Sequence, residues 1–442
     1  MTTPDPRTAL RQLFDSAVQR AHPSHALPSC LPTPPAGRTV VVGLGKAAAD
    51  MAQVLESLWQ GPLSGVVVVP DGHEAPCRHI RVLSARHPVP DGRSLVAATS
   101  LMAAVRGLTP QDQVIALVSG GGSSLAVRPA AGLTLADKQA LCEALLACGA
   151  SIHEINTVRR QLSSFKGGHL AGAAWPAKVH TIYLSDVPGD DPRDIASGPT
   201  LGASTGIQDA QAVLARHGIT PPSRVAACWS QAIGQAAPGQ RATLSLRPDD
   251  PRLHGHTQAA MATPALSLQA AQALARRWGM QGISLGDQLQ GEARLVAQEH
   301  ARLVRASTAP GSCSRAGQLW LSGGELGVTL RRDGEATPAW GCGGRNVEYL
   351  LALALALDGL PGVHALAADT DGIDGGAAVA GAFIAPDTLA RARRLGLDPQ
   401  SFLDRHDAHG FFQALGDQLV TGPTRTNVND FRAIWREPAL GA

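Results

Sequence analysis

The residues best suited to chemistry form a glycine turn at 119–124 (SGGGSS), directly after the apolar run 114–118 (VIALV). The apolar run predicts a buried strand, and the turn then brings consecutive backbone N–H groups together. Glycine lets a ligand approach such groups closely, so the turn predicts a binding site for a phosphate or a carboxylate. The structural alternative is a flexible tight turn, because short motif matches carry a false-positive risk.

A second glycine turn, residues 43–48 (GLGKAA), follows the strand predicted for 39–42. It partly matches the dinucleotide fingerprint G-x-G-x-x-G/A, and on that interpretation Asp71, after the next strand, could hold a ribose hydroxyl. Lys46 lies inside the turn, however, and an amine there suits a phosphoryl group at least as well. The sequence lacks the Walker A pattern G-x-x-x-x-G-K-[ST], so a nucleotide site would be of another type.

Acidic residues gather directly after predicted strands: Asp186, Asp190, Asp191, Glu325, Asp369, Asp371 and Asp374. Residues 369–374 are not an EF-hand, which needs Gly at its sixth position and Glu at its twelfth, because the twelfth residue here is Ala380. Carboxylates beside glycine suit Mg²⁺, which takes one or two carboxylates plus substrate phosphates. The alternative is a turn held by Asx hydrogen bonds.

Basic residues form two further features. Arg345 lies in the glycine-rich segment 341–346 (GCGGRN) before an apolar helix, where its guanidinium could bind phosphate or carboxylate, or cap the helix through a salt bridge. Residues 155–171 predict one helix with a polar, cationic stripe of Arg159, Ser163 and Lys166. We interpret lone histidines such as His87, His153 and His169 as ordinary, because no possible partner residue lies at a characteristic spacing from them.

Strands alternate with helices along the chain. The predicted strands are 39–42, 66–69, 114–118, 179–184, 282–285, 319–321 and 363–368, and the predicted helices are 7–20, 47–58, 155–171, 264–278, 292–305 and 347–357. Apolar strands that alternate with helices indicate a parallel sheet covered on both faces, whose ligands bind beyond the carboxyl ends of the strands. The polar, weakly periodic stretch 203–257 indicates a domain boundary.

Composition excludes several classes of protein. The chain has 442 residues, which favours two domains, and its net charge of +2 gives no electrostatic case for a nucleic-acid or membrane partner. No apolar run approaches the ~18 residues of a spanning helix, and the first residues do not have the pattern of a signal peptide. Seven scattered cysteines without a C-x-x-C pair argue against disulfides and zinc, and favour a cytoplasmic location.

Seven segments together resemble the glycerate 2-kinases, the family whose C-terminal part is called the MOFRL domain and whose members have also been labelled hydroxypyruvate reductase. They are residues 41–51, 119–124, 154–168 (EINTVRRQLSSFKGG), 185–200 (SDVPGDDPRDIASGPT), 343–348, 369–375 and 421–430 (TGPTRTNVND). The resemblance spans nearly the whole chain, with the motifs in the same order.

This resemblance implies an activity and an architecture. The activity is ATP-dependent phosphorylation of D-glycerate at the 2-hydroxyl, which gives 2-phosphoglycerate and ADP, with the active site in a cleft. The architecture is α/β, with two α/β/α domains and mainly parallel sheets. A Rossmann-like N-terminal domain would cover residues 1–245, and a C-terminal α/β domain would cover 246–442 and contain the MOFRL region at about 315–430.

The resemblance also implies roles for individual residues. The family's catalytic lysine and arginine fall on Lys46 and Arg345, which we expect to stabilise the transferring phosphoryl group. Asp186 is a third predicted catalytic residue and, with Asp190 or Asp371, a predicted Mg²⁺ ligand. Substrate or nucleotide binding is predicted for Gly43, Gly45, Ser119, Gly120, Gly121, Gly122, Ser123, Ser124, Asn156, Arg160, Lys166, Glu325 and Asn346.

Two positions depart from the family pattern. Val347 stands where Gln is usual, which we expect to affect packing. Arg425 stands where Gly is usual, which adds a cation and a Cβ near a turn.

Two other functions stay open at this point. One is an NAD(P)H-dependent hydroxypyruvate reductase, based on Gly43, Gly45 and Ala48 of the fingerprint. The other is a phosphosugar-binding regulatory protein without catalysis, for which the same glycine turn would serve. A homodimer is also left open.

Overall fold

The computed structural model describes residues 4–307, 317–330 and 340–438. The chain forms two compact units: a central unit, Pro23–Met261, and a terminal unit that joins Met1–His22 to Ala262–Ala442. Helix α1 (Pro6–Ala21) belongs to the terminal unit because its apolar face packs there, with the rings of Phe14 and Phe431 edge to face at 5.9 Å. Asp5 caps α1 by accepting a hydrogen bond from the Thr8 N–H at 3.1 Å.

The described part of the central unit contains a six-stranded sheet in the order β3-β2-β1-β4-β5-β6. Its strands are β1 (Thr39–Leu44), β2 (Leu63–Pro70), β3 (Ile80–Ala85), β4 (Gln113–Val118), β5 (Lys178–Leu184) and β6 (Thr257–Ala262). Strands β1 to β5 pair in parallel. β1 is buried along its whole length and β4 from Val114 onward, as expected for parallel strands covered on both faces.

The strand order reverses between β1 and β4. The chain moves outward from β1 through β2 to β3, and then returns to the other side of β1 as β4. The loops that follow β1 and β4 therefore leave neighbouring strands in diverging directions. Ligands of open α/β sheets bind at such a point.

Helices surround this sheet: α2 (Pro23–Ala26), α3 (Ala48–Leu58), α4 (Gly92–Ala104), α5 (Gly122–Leu125), α6 (Leu135–Ala147), α7 (Ile152–Arg160), α8 (His169–Ala174), α9 (Ile207–Arg216) and α10 (Ser223–Gln235). Short 3₁₀ turns occur at Leu27–Cys30, Ile195–Ser197 and Pro251–Leu253. The stretch 203–257 is not a boundary: α9 and α10 pack on α7, with Trp229 fully buried. The division between the units falls at 261/262, at the last residue of β6, instead of at 245/246, and α1 lies outside the central unit.

The helix predicted for 155–171 is broken in the structure. Helix α7 ends at Arg160, and α8 begins only at His169. Between them the Ser163 hydroxyl accepts hydrogen bonds from the N–H groups of Phe165 and Lys166, both at 3.1 Å, so a side chain replaces the helical partners. The predicted cationic stripe is therefore wrong, and Lys166 is buried instead of lining a helix surface.

A second six-stranded sheet, in the order β11-β10-β9-β12-β8-β7, lies within the described part of the terminal unit. Its strands are β7 (Gln281–Ser284), β8 (Gln318–Ser322), β9 (Val363–Asp369), β10 (Gly381–Ile384), β11 (Gln418–Leu419) and β12 (Asp430–Arg436). Strands β7 and β8 pair in parallel, and the other four pairings are antiparallel.

The terminal sheet therefore corrects the expectation of mainly parallel sheets for this unit. No helix lies between β9 and β10, so the chain turns back beside itself, whereas a parallel pair needs a long crossover. The last strand, β12, then enters between β8 and β9 and runs antiparallel to both. The expectation of an α/β fold is confirmed.

The helices of this unit are α11 (Pro264–Arg277), α12 (Ala293–Ala306), α13 (Arg345–Leu357), α14 (Thr388–Arg394), α15 (Pro399–Asp404) and α16 (Ala408–Leu415). Thr263 caps α11, since its hydroxyl accepts a hydrogen bond from the Leu266 N–H at 3.3 Å. Val347 of α13 is fully buried in the core, in agreement with the expected effect on packing. Across the described ranges, no helix combines the length and the apolar character that crossing a membrane requires.

Candidate active site

Two loops of the central unit join at the point where the strand order reverses. The Ser119 N–H donates to Leu44 O at 3.0 Å, and the Lys46 N–H donates to Gly120 O at 2.9 Å. The Ala47 N–H donates to the buried Ser119 hydroxyl at 3.0 Å. The predicted lysine and the predicted glycine turn are therefore hydrogen-bonded neighbours, and the Ser119 side chain holds the two loops together.

Backbone conformation favours glycine at two positions of these loops. Gly45 has φ +129°, and a Cβ there would stand 2.2 Å from the Ser119 hydroxyl oxygen. Gly121 has φ +79° and immediately precedes α5. Within the described chain, the N–H groups of Gly120 and Gly121 form no hydrogen bond, so they can serve an anion. Gly43 is the fifth of the six residues of β1 and packs between the neighbouring strands β2 and β4, so it is not part of the turn.

The segment 185–200 covers the glycine turn. The Asp186 carboxylate lies against Gly120, and the hydroxyls of Ser123 and Ser197 are 2.8 Å apart. Three residues of this segment other than glycine have positive φ, namely Asp190 (53°), Ala196 (52°) and Ser197 (63°). Such conformations cost about 1–3 kcal/mol each and concentrate at functional sites.

Asn156 and Arg160 of α7 form hydrogen bonds to residues of this segment. The Asn156 amide donates to Asp194 O at 2.9 Å and accepts from the Ser197 hydroxyl at 2.8 Å. Arg160 donates to Asp194 Oδ1 at 3.0 Å. Both side chains are buried. They were predicted to bind ligands, and in the structure they hold the segment 185–200 in place.

Lys166 is buried beside a lysine that the sequence analysis missed, Lys138 of α6. Burial lowers the pKa of Lys166 well below its ordinary value, and the charges of Lys138 and Arg159 add to the decrease. Burial also lowers the pKa of Lys138 to about 8. The helical pattern of α6 gave no sign that Lys138 faces inward.

His87 is a second residue whose position the sequence did not reveal. Its Nδ1 lies 2.9 Å from the Ser124 hydroxyl oxygen, within the glycine turn. Burial, followed by the charge of Lys46, lowers the pKa of His87 to about 4, so the ring is neutral at pH 7. The interpretation of His87 as an ordinary histidine is therefore incomplete.

In the terminal unit, Arg345 is held by three carboxylates. Its Nε donates to Asp430 at 2.8 Å, and its two terminal nitrogens donate to Glu325 and Asp369, both at 2.7 Å. Burial opposes the charge, but Asp430, Asp369 and Glu325 together raise the pKa of Arg345 above its ordinary value. About a quarter of the side chain stays exposed. Arg345 and Glu325, two separately predicted site residues, are in contact, and Asp430 is a partner that the sequence analysis missed.

The first turn of helix α13 is capped by the carboxylate of Asp374, a residue outside the helix. Asp374 accepts hydrogen bonds from the N–H groups of Asn346 and Val347 at 3.1 and 3.0 Å, which satisfies donors of the first helical turn. The Asn346 amide donates to Asp430 at 2.8 Å. Because Asn346 is fully buried, the structure gives it a role in fixing the position of Arg345.

The acidic turn after β9 contains the Asx hydrogen bond that was one of its two interpretations from the sequence. Asp371 accepts a hydrogen bond from the Ile373 N–H at 2.9 Å, the bond of an Asx turn. Burial raises the pKa of Asp369 well above its ordinary value, the charges of Asp371 and Asp430 raise it further, and Arg345 acts in the opposite direction. The described residues contain no group of three or more His, Cys, Asp or Glu arranged to hold a metal ion.

Comparisons with known proteins agree with this arrangement. A domain of unknown function, DUF4147, matches residues 9–230, and the MOFRL family matches residues 318–430. The crystal structure of a glycerate kinase from Thermotoga maritima is similar with a TM-score of 0.85 and 32% identity, over 97% of this chain and 99% of that chain. The D-glycerate 2-kinase of Thermotoga maritima is 34% identical over 95% of each protein. The chain belongs to the glycerate 2-kinase family.

Other relatives carry two kinds of name. Human glycerate kinase is 34% identical over 97% of this chain and 92% of that protein. A protein of Agrobacterium vitis that is provisionally named hydroxypyruvate reductase is 48% identical over 97% of this chain and 94% of that protein. This member of the glycerate 2-kinase family is an enzyme, a kinase, as the resemblance predicted.

Proposed function

We propose that this member of the glycerate 2-kinase family transfers the γ-phosphoryl group of ATP to the 2-hydroxyl of D-glycerate, which gives 2-phosphoglycerate and ADP. The observation that carries the proposal is the direct joining of the Lys46 turn to the glycine turn where the central strand order reverses. A cation beside unused backbone N–H groups suits a transferring phosphoryl group. The names of the relatives support glycerate as the acceptor.

The central unit supplies most of the proposed machinery. The N–H groups of Gly120 and Gly121 bind anionic oxygens, and Lys46 stabilises charge on the transferring group. Ser123 and Ser124 keep the turn in place through Ser197 and His87. Asp186, held against the turn, orients the attacking hydroxyl. Little covalent chemistry is required, because phosphoryl transfer depends on positioning and charge neutralisation.

Mg²⁺ fits the oxygen donors of the segment 185–200. The Asp186 carboxylate occupies the space that a Cβ on Gly120 would fill, and Asp190 follows in the same loop. Mg²⁺ takes one or two carboxylates together with substrate phosphates, and when bound it neutralises phosphate charge. Asp186 and Asp190 are the proposed ligands.

Arg345 is the proposed catalytic cation of the terminal unit. Three carboxylates already fix its guanidinium, so binding a phosphate oxygen would require no further ordering of the side chain. Glu325, half exposed, is the carboxylate that a substrate anion can displace at the least cost. Loss of Arg345 should therefore lower turnover more than substrate affinity.

A hydroxypyruvate reductase is the second candidate, favoured by the name of the Agrobacterium relative and by a strand order that matches Rossmann-type sheets. The residue expected at the ribose argues against it. Asp71 binds Arg93 through both carboxylate oxygens, at 2.7 and 3.0 Å, on an exposed surface. Lys46 also occupies the turn that would receive a dinucleotide.

A side-by-side assay separates the two functions. One reaction contains ATP, Mg²⁺ and D-glycerate, with ADP and the phosphoglycerate isomer measured, and the other contains NADH or NADPH with hydroxypyruvate. Glycerate-dependent ADP release with 2-phosphoglycerate as product is expected. Oxidation of the cofactor without ADP release would favour the reductase. The cytoplasmic location and a homodimer remain predictions.

The Lys46→Met variant tests the assignment of Lys46. We expect turnover to fall on the order of 100-fold, as when one transition-state contact is removed. Lys178→Met is the matched control, because Lys178 is exposed on β5. Near-native turnover in a folded Lys46→Met protein would remove Lys46 from the mechanism.

A further inference from the structure

A small cavity lies beside the glycine turn, wholly within the central unit. Its volume is about 40 Å³, and the residues that matter for its chemistry are Ser123, Ser124, Lys138, Glu143, Arg159 and Lys166. One water needs roughly 10–15 Å³ of such space, so the cavity holds about three waters or one carboxylate-sized group. A nucleotide does not fit in it.

The cavity contains buried ammonium groups with few acceptors. Lys166 is 1% exposed, and its Nζ makes one long hydrogen bond, to Ala196 O at 3.4 Å. Lys138 is 4% exposed and donates to Leu162 O at 3.1 Å and Arg159 O at 3.4 Å. An ammonium has three donors, and a buried charge is costly unless it is paired.

The charges around the cavity do not balance. Arg159 adds a third cation to the two lysines, whereas Glu143 is the one acidic side chain among the described residues that line the cavity, and it is exposed. Burial and mutual repulsion hold the pKa of Lys166 well below its ordinary value. A bound anion would accept hydrogen bonds from these lysines and favour their charged forms.

Lysine is rare in this chain, which makes the positions of these two lysines informative. Of the 38 lysines and arginines, four are lysines, namely Lys46, Lys138, Lys166 and Lys178. Three of them surround the glycine turn, and Lys178 is exposed. A compact ammonium on a flexible stem fits a small cavity better than the planar fork of an arginine.

The cavity and Lys46 meet at the same turn. A Cβ built on Gly121 would lie 3.4 Å from Cγ of Lys46 and 3.3 Å from Cε1 of His87. His87 in turn contacts the hydroxyl of Ser124, which lines the cavity. A molecule of a few carbon atoms can therefore place one end in the cavity and the other beside the turn that carries Lys46.

We infer that this cavity binds the carboxylate of the hydroxy-acid acceptor, with Lys138 and Lys166 as the groups that hold it. The inference rests on the proposed function and adds the acceptor subsite to it. The glycine turn and Lys46 then serve the phosphoryl group, and the acceptor's carboxylate is recognised separately. Inorganic phosphate shares the anion chemistry and is the competing occupant.

The test compares three full-length variants with the wild type: Lys138→Met, which removes an ammonium, Glu143→Gln, which removes the opposing charge, and Lys178→Met as control. Steady-state kinetics give kcat and separate KM values for D-glycerate and ATP. Thermal shifts without nucleotide are measured with D-glycerate, with glycerol, which lacks the carboxylate, and with inorganic phosphate.

For Lys138→Met we expect the KM for D-glycerate to rise on the order of tenfold or more, with the KM for ATP unchanged, since a charge-assisted hydrogen bond is lost. For Glu143→Gln we expect the KM for D-glycerate to fall about two- to fivefold, because an exposed opposing charge is removed. D-Glycerate should raise the melting temperature of the wild type, and glycerol should not. This rise should disappear in Lys138→Met and persist in Lys178→Met.

Two outcomes would overturn the inference, and a third would overturn the proposed function instead. The variants could phosphorylate D-glycerate with an unchanged KM, both in Glu143→Gln and in a folded Lys138→Met. The proposed function would then stand, and the cavity would not be the acceptor subsite. Stabilisation by inorganic phosphate alone would assign the cavity to another anion. If the wild type does not phosphorylate D-glycerate, the proposed function fails, and the thermal shift with D-glycerate still decides whether the cavity binds the carboxylate.

Discussion

The carboxylate of Asp186 lies so close to the Cα of Gly120 that a Cβ built there would stand 1.6 Å from Asp186 Oδ2. Real Cβ atoms do not make contacts under 3.0 Å, so any larger residue at position 120 must displace the carboxylate. The φ of Gly120 is not positive, so close approach, and not backbone conformation, requires glycine here. A carboxylate is thereby held beside the backbone N–H groups of the turn.

The Gly120→Ala variant should therefore fold and lose turnover. Displacing Asp186 by more than an ångström moves a positioning group away from the turn, which we expect to lower kcat on the order of 100-fold. Gly234→Ala in α10 is the control, because no atom lies within 4 Å of its Cβ, and it should be neutral or slightly stabilising. Native kcat in a folded Gly120→Ala protein would contradict the assigned role of Asp186.

Replacing Arg345 by lysine should destabilise the terminal unit. A lysine lacks the planar fork with which Arg345 reaches three carboxylates. Asp369 would then stay buried without its charged partner, and Asp430 would keep only Arg432 as a charged partner. We expect the free energy of unfolding at pH 7 to fall by about 2–4 kcal/mol, measured by urea denaturation. Arg93→Lys is the control, since Arg93 bridges two aspartates on the surface and should change by less than about 1 kcal/mol.

The loss of unfolding free energy in Arg345→Lys, relative to the wild type, should become smaller as the pH falls. The folded-state pKa of Asp369 is raised above its unfolded value of 3.8, so the folded state gains protons first and ionisation of Asp369 opposes folding at pH 7. Without Arg345 this pKa rises further, and protonation relieves the variant more than the wild type. Equal deficits at pH 7 and pH 5 would show that Asp369 is not the group left unpaired.

Removal of the Asp374 carboxylate should weaken the start of α13. Asp374→Ala leaves the N–H groups of Asn346 and Val347 without acceptors in a buried site, which should lower the free energy of unfolding by about 1–2 kcal/mol. Asp387→Ala is the matched control, because Asp387 precedes α14 without capping it through its side chain. Equal losses for the two variants would argue against this capping role.

Lys138 should make stability depend on pH above neutrality. Its folded-state pKa is lowered from 10.5 to about 8, so between these values the unfolded chain binds more protons and the wild type becomes more stable as the pH rises. This contribution is absent in Lys138→Met. From pH 8 to 10 the wild type should therefore gain stability relative to Lys138→Met, as measured by the free energy of unfolding. A difference that stays constant over this range would contradict the lowered pKa.

Arg425 occupies a backbone conformation that favours glycine. Its φ is +61°, in the left-handed region, which costs most residues about 1–2 kcal/mol. Arg425→Gly should change the free energy of unfolding by less than about 1 kcal/mol, because relief of the backbone offsets the entropy of glycine. Arg425→Val should be clearly less stable than either protein, since a β-branched residue tolerates this region worst. A Val variant as stable as the Gly variant would contradict the conformation.

Much of the central unit could be predicted from local patterns. The apolar runs predicted β1, β4 and β5, and the glycine turns that follow β1 and β4 were predicted to bind ligands. The edge strands β3 and β6 were missed. They have six residues each, as β1 and β4 do, but both are only partly buried. The break after α7 was missed because the Ser163 hydroxyl competes with the helix, which the periodicity of apolar residues does not register.

The sequence by itself determined where the buried strands and glycine turns lie, and that Lys46, Asp186 and Arg345 stand at the ends of elements. Apolar runs and glycines act through neighbours along the chain, so their consequences are local. Only the tertiary structure decided that Arg345 meets Asp430, 85 residues away, that Lys138 lies beside Lys166, and that β12 enters the terminal sheet antiparallel to β8 and β9. These pairings depend on how distant segments pack and on which charges burial leaves without other partners, and no local pattern encodes them.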